Sequence, residues 1–279
     1  MGRRPVYVDL DVGQGSISVP GTIGATIVEE PLNIEDSFDQ NISQPLVYSF
    51  GHKSPGHNKE LYNQLVTKLS QGIREQFKNN RKAETSGMII NTCGWIKGQG
   101  YQHLKHIAQA FEVDIIIVLD EERLYQDLVQ DMPKFVKISW LPRSTGVFTR
   151  DQENRKRIRN KKVQDYFYGG KKQFEPHSFE IKNSELEDKL FKLSDPMLIV
   201  KQGENPIFNL ERLQPKRFMV NRLLALSFAT DPDELASSNV AGFLWVTSVD
   251  EKKIKVLSPQ PLPLPECYFL MTEIEVDLR

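Results

Sequence analysis

An apolar strand that ends in a carboxylate and a glycine-rich turn constrains the fold most. The run Val6–Val12 reads VYVDLDV and is followed by Gly13-Gln14-Gly15. In an open α/β sheet, ligands bind outside the carboxyl ends of the strands, so Asp11 is placed next to a candidate site. A carboxylate there binds Mg²⁺ or accepts a proton, and glycines let the backbone approach a phosphate. The alternative is a buried strand whose aspartate only caps the next turn.

Apolar strands and amphipathic helices alternate through the first half of the chain. The sequence predicts strands at 45–50, 88–92, 113–120 and 135–141 and helices at 58–80, 101–111 and 121–131. This β-α alternation is typical of a doubly wound sheet. Strand 113–120 is nearly all apolar, which predicts that both its faces are covered, as in a parallel sheet.

Residues 150–172 are strongly basic, and the pattern after them is β-rich. They contain nine basic and three acidic side chains, which predicts a solvated helix, and they include the aromatic run Tyr166–Tyr168 followed by two glycines. We place a domain boundary there, which gives domains 1–169 and 170–279. The second domain has predicted strands at 179–182, 197–200 and 268–278, a hairpin of 240–249 with 253–257, and a helix or mixed segment at 219–228.

Composition limits the possible functions. A net charge of −1 argues against a uniformly basic nucleic-acid coat, so any such contact needs a local patch. Cys93 and Cys267 are the two cysteines and have no CxxC spacing, which argues against a disulfide framework and a thiolate zinc site and fits a reducing compartment. The longest apolar run, near 113–119, is far shorter than the ~20 residues that span a bilayer, so no membrane association is expected.

Three features together indicate phosphoryl transfer. They are Asp11, the turn Thr92–Trp95 after another strand, and the arginines after the fifth strand. Such transfer needs a carboxylate, a means of positioning the acceptor, and cations that neutralise the transferred group, which a mobile arginine-rich lid can supply. Trp95 either stacks on a nucleobase or fills the core beneath its loop.

Other candidates have simpler interpretations. His103 and His106 share a helix face but lack a third ligand nearby, so we interpret them as surface residues. The acidic run 120–122 complements the dipole at a helix start.

Specific motifs along the whole chain resemble those of the eukaryotic polynucleotide 5′-hydroxyl kinases of the pre-mRNA cleavage complex, the Clp-type family. They are YVDLDVGQG (7–15), NTCGWIKGQGY (91–101), FEVD (111–114), YFYG (166–169), VAGF (240–243) and LSP (257–259). The resemblance implies a nuclear RNA kinase that phosphorylates 5′-hydroxyl ends with ATP and Mg²⁺. It also implies association with mRNA cleavage factor II subunits and with the tRNA-splicing endonuclease complex.

The resemblance also implies roles for individual residues. Asp11 is implied to activate the 5′-hydroxyl and to share in Mg²⁺ binding. The implied catalytic lid arginines are Arg150 and Arg155, and the implied substrate-binding residues are Gln14, Thr92, Gly94 and Trp95.

The chain departs from the family in one respect. The family has a P-loop before the strand that opens this sequence, and no G-x-x-x-x-G-K-[ST] occurs in the 279 residues. The expected fold is therefore α/β, a P-loop-NTPase-like parallel sheet without its P-loop strand, followed by a smaller β-rich α/β domain, in an N-terminally truncated chain that binds ATP poorly. Two hypotheses stay open, an RNA kinase and a non-catalytic scaffold subunit of the cleavage complex.

Overall fold

The computed structural model describes residues 2–31, 45–194 and 209–277. In the first half the elements are β1 (Val6–Asp9), β2 (Thr22–Ile27), β3 (Leu46–Ser49), α1 (Lys59–Asn79), α2 (Arg81–Ser86), β4 (Met88–Asn91), α3 (Gln99–Ala110), β5 (Ile115–Leu119), α4 (Glu122–Asp131), β6 (Lys137–Leu141) and α5 (Gln152–Tyr168). In the second half they are β7 (His177–Lys182), α6 (Asn183–Leu186), β8 (Leu190–Ser194), β9 (Asn209–Arg212), β10 (Arg222–Ser227), β11 (Val240–Val249), β12 (Lys253–Ser258) and β13 (Tyr268–Glu275).

The first sheet has the strand order β3-β2-β1-β4. β1 runs parallel to β4, with Asp9 opposite Asn91, and antiparallel to β2. Helix α1 begins at the cap Asn58, whose Oδ1 accepts the Leu61 N–H at 2.9 Å. Its apolar stripe is buried from Leu61 to Ile73 and partly buried at Phe77, which confirms the amphipathic helix predicted for 58–80.

β5 and β6 pair in parallel but form a separate two-stranded sheet. On one face of β5, Ile115, Ile117 and Leu119 are 56%, 60% and 64% exposed. The prediction that both faces of this strand are covered is therefore wrong. Among the described residues, β5 also has no strand neighbour other than β6. β4 likewise pairs there with β1 alone, so the sheet is interrupted between β4 and β5.

The second half is built on a seven-stranded sheet with the order β7-β12-β11-β10-β13-β8-β9. Its pairs are antiparallel except for β13 with β8. The predicted hairpin is confirmed as β11 and β12. A mixed α/β half with parallel strands and a further β-rich half confirm the predicted fold class.

Two predictions for the second half need comment. Segment 219–228 was predicted as a helix or mixed element, but it is mostly strand β10, which lies between β11 and β13. The predicted strand 197–200 and the end of the last strand at Leu278 lie outside the described residues.

Helix α5 joins the two halves. Val163 and Phe167 on α5 are buried in one cluster with Leu223 and Phe243 of the second sheet. Tyr166 is also anchored there, since its hydroxyl accepts the Phe243 N–H at 2.9 Å. The aromatic run therefore docks α5, while most of the helix's basic side chains are exposed and Arg159 is half-buried. The described helices include none that is long and apolar enough to cross a membrane.

Candidate functional site

The site lies at the edge where the parallel strands β1 and β4 end. The Leu10 N–H donates to Asn91 O at 3.0 Å, so the two segments stay paired one residue beyond the end of β1. Asp11 follows β1 and Thr92 follows β4, so both lie at the same edge, as the sequence predicts. A sheet edge of this kind is where α/β proteins bind ligands.

The buried carboxylate of Asp9 organises this edge. Its Oδ1 accepts the Asp11 N–H at 3.1 Å and the Asn91 Nδ2 amide at 2.9 Å, and its Oδ2 accepts the Ser16 N–H at 2.7 Å. Only 3% of Asp9 is exposed. Sequence reasoning assigned no role to Asp9. Its contacts show that it fixes the turn that carries Asp11.

Asp11 is half-buried at the mouth of the turn. Its Oδ1 accepts the Gly13 N–H at 2.9 Å, and a side chain at position 13 would crowd both this oxygen and Lys53 O. Burial raises the pKa of Asp11, the charge of Asp9 raises it further, and the Gly13 hydrogen bond and Arg150 and Arg155 lower it; the net shift is upward. A carboxylate with a raised pKa accepts a proton more readily at neutral pH.

Basic side chains of the α5 region interact electrostatically with Asp11. Arg150 and Arg155 are exposed and both influence its pKa electrostatically. Asp151 caps α5, because its Oδ1 accepts the Asn154 N–H at 2.7 Å, and this fixes where the helix starts between the two arginines. Arg159 also interacts with Asp11, and burial lowers the pKa of its guanidinium, with Arg155 lowering it further. Sequence reasoning counted Arg159 in the basic segment but did not select it.

The turn after β4 lies beside Asp11. Burial raises the pKa of the Cys93 thiol, and the charge of Asp11 contributes to that shift, so the two side chains are close enough to interact. Thr92 is half-buried, and a Cβ added at Gly94 would contact nothing within 4 Å. The turn is therefore open at Gly94, so a ligand can approach its backbone.

Trp95 is half-buried beside His103, Gly56 and Gly100. Its ring centroid lies 5.6 Å from that of His103, and a Cβ built on Gly56 would lie 3.3 Å from its indole edge. A Cβ on Gly100 would overlap the Trp95 carbonyl, so position 100 in the first turn of α3 requires glycine. Trp95 therefore fills part of the core and still leaves part of its indole accessible. Both interpretations of this residue, core filling and stacking on a nucleobase, are compatible with this position.

His103 is buried, so its interpretation as a surface residue is wrong. Only 3% of it is exposed, because Tyr62 and Trp95 pack around its ring. Its Nδ1 lies 2.7 Å from Asn63 Oδ1. His103 therefore packs against the Trp95 indole and helps to hold it in place.

Gln14 lies in the turn after Asp11. Its backbone N–H donates to Asp11 O at 3.2 Å. Its Oε1 is buried without a hydrogen-bond partner in the described part of the chain. An amide in this position can reorient toward a bound polar group.

Asp11 is suited to be one ligand of a Mg²⁺ ion, but the described residues do not form a complete ATP site. Magnesium is usually held by one or two carboxylates, with waters and substrate phosphates as its other ligands. Asp11 Oδ1 is engaged by Gly13, and the second oxygen offers the anionic ligand. The 279 residues contain no Walker-A phosphate loop, so we derive no step through ATP from this chain.

Fold and site together define an α/β protein of the P-loop-NTPase type, with a carboxylate at a sheet edge opposite arginines of a following helix, joined to a β-rich half. The family model described as "mRNA cleavage and polyadenylation factor CLP1 P-loop" matches residues 1–169. The model described as "Pre-mRNA cleavage complex II protein Clp1" matches residues 174–276. The chain belongs to the Clp1 family.

Curated relatives agree. A "Protein CLP1 homolog" of Culex quinquefasciatus is 45% identical over 284 residues, which cover 99% of this chain and 66% of the relative. The "Polyribonucleotide 5'-hydroxyl-kinase Clp1" of Gallus gallus and that of Homo sapiens are each 44% identical over 290 residues, which cover all of this chain and 67% of each relative. The chain thus spans about two thirds of the length of these relatives.

A solved structure has the same fold. The Clp1p chain of a Clp1p–Pcf11p complex superposes with a TM-score of 0.85 at 22% identity, over 98% of this chain and 68% of that one. This likeness supports the fold.

Proposed function

We propose that this chain carries the acceptor-binding half of a polynucleotide kinase that phosphorylates 5′-hydroxyl ends of RNA. The observation that carries the proposal is the half-buried Asp11, with its raised pKa and its electrostatic interaction with Arg150, Arg155 and Arg159, at the sheet edge that also carries the Thr92–Trp95 turn. A base, cations and a stacking surface are the parts that transfer to a nucleic-acid hydroxyl needs. Relatives at 44% identity bear the name of this activity.

Each side chain has a distinct role in this proposal. Asp11 accepts the proton of the 5′-hydroxyl. Trp95, braced by His103, stacks on the terminal base, and Gln14, Thr92 and Gly94 line the approach of the acceptor. The arginines balance the negative charge of the transferred group.

ATP is the proposed phosphate donor, and Mg²⁺ is the proposed metal, with Asp11 as its protein ligand. When bound, the metal neutralises charge on the phosphates. The backbone cradle for the β- and γ-phosphates is not among the motifs of these 279 residues, so we expect the chain alone to bind ATP poorly.

The proposed setting is the nuclear mRNA cleavage machinery. The name of the second matching family model, pre-mRNA cleavage complex II protein, supports this setting. A Pcf11-type subunit of cleavage factor II is the proposed partner, supported by the Clp1p–Pcf11p complex. Association with the tRNA-splicing endonuclease complex is proposed from the motif resemblance alone.

A second candidate is a non-catalytic scaffold subunit of the same complex. The specific observation in its favour is that the 279 residues contain no Walker-A motif but do contain a seven-stranded, β-rich half. In this case the chain would bind the Pcf11-type partner and would not transfer phosphate.

Radiolabel transfer from ATP to a short 5′-hydroxyl RNA distinguishes the two. It should be measured with the 279-residue chain and with the same chain joined to the part of the Gallus gallus relative that this chain does not cover. The kinase proposal expects transfer by the joined protein and its loss in Asp11→Asn. Arg150→Ala and Arg155→Ala should lower turnover more than RNA affinity. Transfer by the joined protein that survives Asp11→Asn would contradict the assignment of Asp11, and no transfer at all would favour the scaffold.

A further inference from the structure

Two histidines and a glutamate meet outside the kinase site, where the loop after β3 touches β13. One ligand atom from each of His52, His57 and Glu273 lies within 4.8 Å of the others. The two imidazole rings are stacked, with centroids 4.1 Å apart and an interplanar angle of 16°. His57 Nε2 lies 3.9 Å from Glu273 Oε2. Three ligand atoms at this spacing surround a small space between the side chains.

The backbone holds these three residues together. The Glu273 N–H donates to Gly51 O at 2.8 Å, so the strand that carries Glu273 is bonded to the residue before His52. Gly51 has φ +78°, a conformation that favours glycine. At the other end the His57 N–H donates to Ser54 O at 3.2 Å, and the next residue, Asn58, caps α1. The loop is therefore fixed on both sides of the cluster.

We infer that His52, His57 and Glu273 bind one divalent transition-metal ion of the Zn²⁺ type, with water completing the coordination. Bonds of about 2.0 to 2.1 Å place tetrahedral ligand atoms about 3.3 Å apart. The ligand atoms lie within 4.8 Å of one another, and His57 is exposed while His52 and Glu273 are half-buried. We therefore expect side-chain rotations, which separate the stacked rings, to close the remaining distance.

The surroundings of His52 suit a metal ligand. Its Nδ1 lies 3.3 Å from Ser54 O and 3.1 Å from Ser54 N. A metal-bound histidine commonly donates its other ring N–H to a backbone carbonyl, which sets the tautomer and the ring orientation. In the structure the Ser54 N–H donates to His52 Nδ1 at 3.1 Å. Metal binding requires the other tautomer, in which Nδ1–H donates to Ser54 O and Nε2 carries the lone pair for the metal.

The ligand types of the cluster favour an imidazole-binding metal over Mg²⁺. Two of the three ligands are imidazoles, and Glu273 is the one carboxylate of the set. Lys192 Nζ lies 2.8 Å from Glu273 Oε1, which leaves Oε2 on the side of His57. Imidazole suits Zn²⁺, Cu²⁺ and Ni²⁺, whereas Mg²⁺ prefers oxygen ligands.

Bound metal would fasten the two halves of the protein to each other. His52 and His57 belong to the loop between β3 and α1, and Glu273 belongs to β13 of the second sheet. The same loop carries Gly56, which packs against Trp95. Because the ligands come together only in the folded chain, the metal should stabilise it.

The test is metal titration of the metal-free 279-residue chain. Zn²⁺ binding is measured by competition with a chromogenic chelator, and Co²⁺ binding by its visible absorption spectrum. The expected result is one Zn²⁺ per chain, unaffected by millimolar Mg²⁺, and a melting temperature raised by about 5 °C at a hundredfold excess over Kd. His57→Ala and Glu273→Gln should weaken binding about tenfold or more.

His177→Ala is the matched control, because His177 is an exposed histidine on β7, outside the cluster. It should leave Zn²⁺ affinity and the melting shift unchanged. His52→Ala provides a second ligand variant, and circular dichroism reports whether each variant is folded. Equal affinities of the His57→Ala, Glu273→Gln and wild-type chains would overturn the inference. Binding without a defined stoichiometry, or displacement of Zn²⁺ by Mg²⁺, would also overturn it.

Discussion

Replacing Asp9 by alanine tests whether its carboxylate holds the turn that carries Asp11. The change removes the acceptor of three hydrogen bonds, from the Asp11 N–H, the Ser16 N–H and the Asn91 side-chain amide. A hydrogen bond to a charged group contributes about 1.5 to 3 kcal/mol, and a buried donor left unpaired adds its desolvation penalty. Water reaches the half-buried Ser16 and Asn91 and recovers part of the loss, so we expect Asp9→Ala to lower the free energy of unfolding by about 3 to 5 kcal/mol.

Asp9→Asn separates hydrogen bonding from packing at this position. An asparagine that keeps Oδ1 still accepts from the Asp11 N–H and from Asn91, but its amide group then opposes the Ser16 N–H. One of three hydrogen bonds is lost, so the expected decrease is about 1.5 to 3 kcal/mol, less than that of Asp9→Ala.

Urea unfolding followed by circular dichroism measures both variants. Asp127→Ala on the exposed face of α4 is the control and should change the free energy of unfolding by less than about 0.5 kcal/mol. An Asp9→Ala chain within about 1 kcal/mol of wild type would refute the reasoning, because three buried hydrogen bonds could not then be supporting the turn.

Three further substitutions have expected outcomes. Burial raises the pKa of Asp11 in the folded protein, so ionised Asp11 destabilises the folded state. This destabilisation is complete at pH values above the raised pKa and absent at pH values below the ordinary pKa of 3.8. Asp11→Asn should therefore melt at or above the wild-type temperature at pH 7, and the difference should vanish as pH falls toward 4; a lower melting temperature at pH 7 contradicts this. Tyr166→Phe should lower the free energy of unfolding by about 1 to 3 kcal/mol in urea, because the Phe243 N–H loses its acceptor; an unchanged value would show that this contact between the halves is not stabilising. Gly100→Ala should shift Trp95 fluorescence and lower the melting temperature, since the new methyl overlaps the Trp95 backbone; a wild-type spectrum would contradict the packing.

The sheet edge that carries the candidate site was predictable from the sequence, because strand ends are local features. Asp11 and Thr92 each follow an apolar run and precede a glycine-containing turn, and parallel pairing of β1 with β4 places them at one edge. Their neighbour β2 was missed, since Thr22–Ile27 contains glycine and alanine and follows a loop-like run. Its strand conformation depends on pairing with β1 and β3.

Tertiary context decided the elements that the sequence misjudged. The segment Arg222–Ser227 contains three leucines and an alanine, residues that favour helices, yet it forms β10 because β11 and β13 flank it on both sides. His103 was misjudged for a similar reason. Its burial comes from Tyr62, which is 41 positions away along the chain, and from Trp95 of the neighbouring turn.

The spacing of Arg155 and Arg159 along the chain predicts more than was inferred from it. Arg155 and Arg159 are four residues apart on α5, so they lie on the same face of the helix, whereas Arg157 points elsewhere. Once Arg155 is assigned to face Asp11, helix geometry places Arg159 one turn further along, and its electrostatic coupling to both residues agrees. Arg150 precedes the helix, so the face of α5 does not fix its direction. The helical pair should therefore keep a constant geometry toward Asp11, and closure over an acceptor should depend on the segment that carries Arg150.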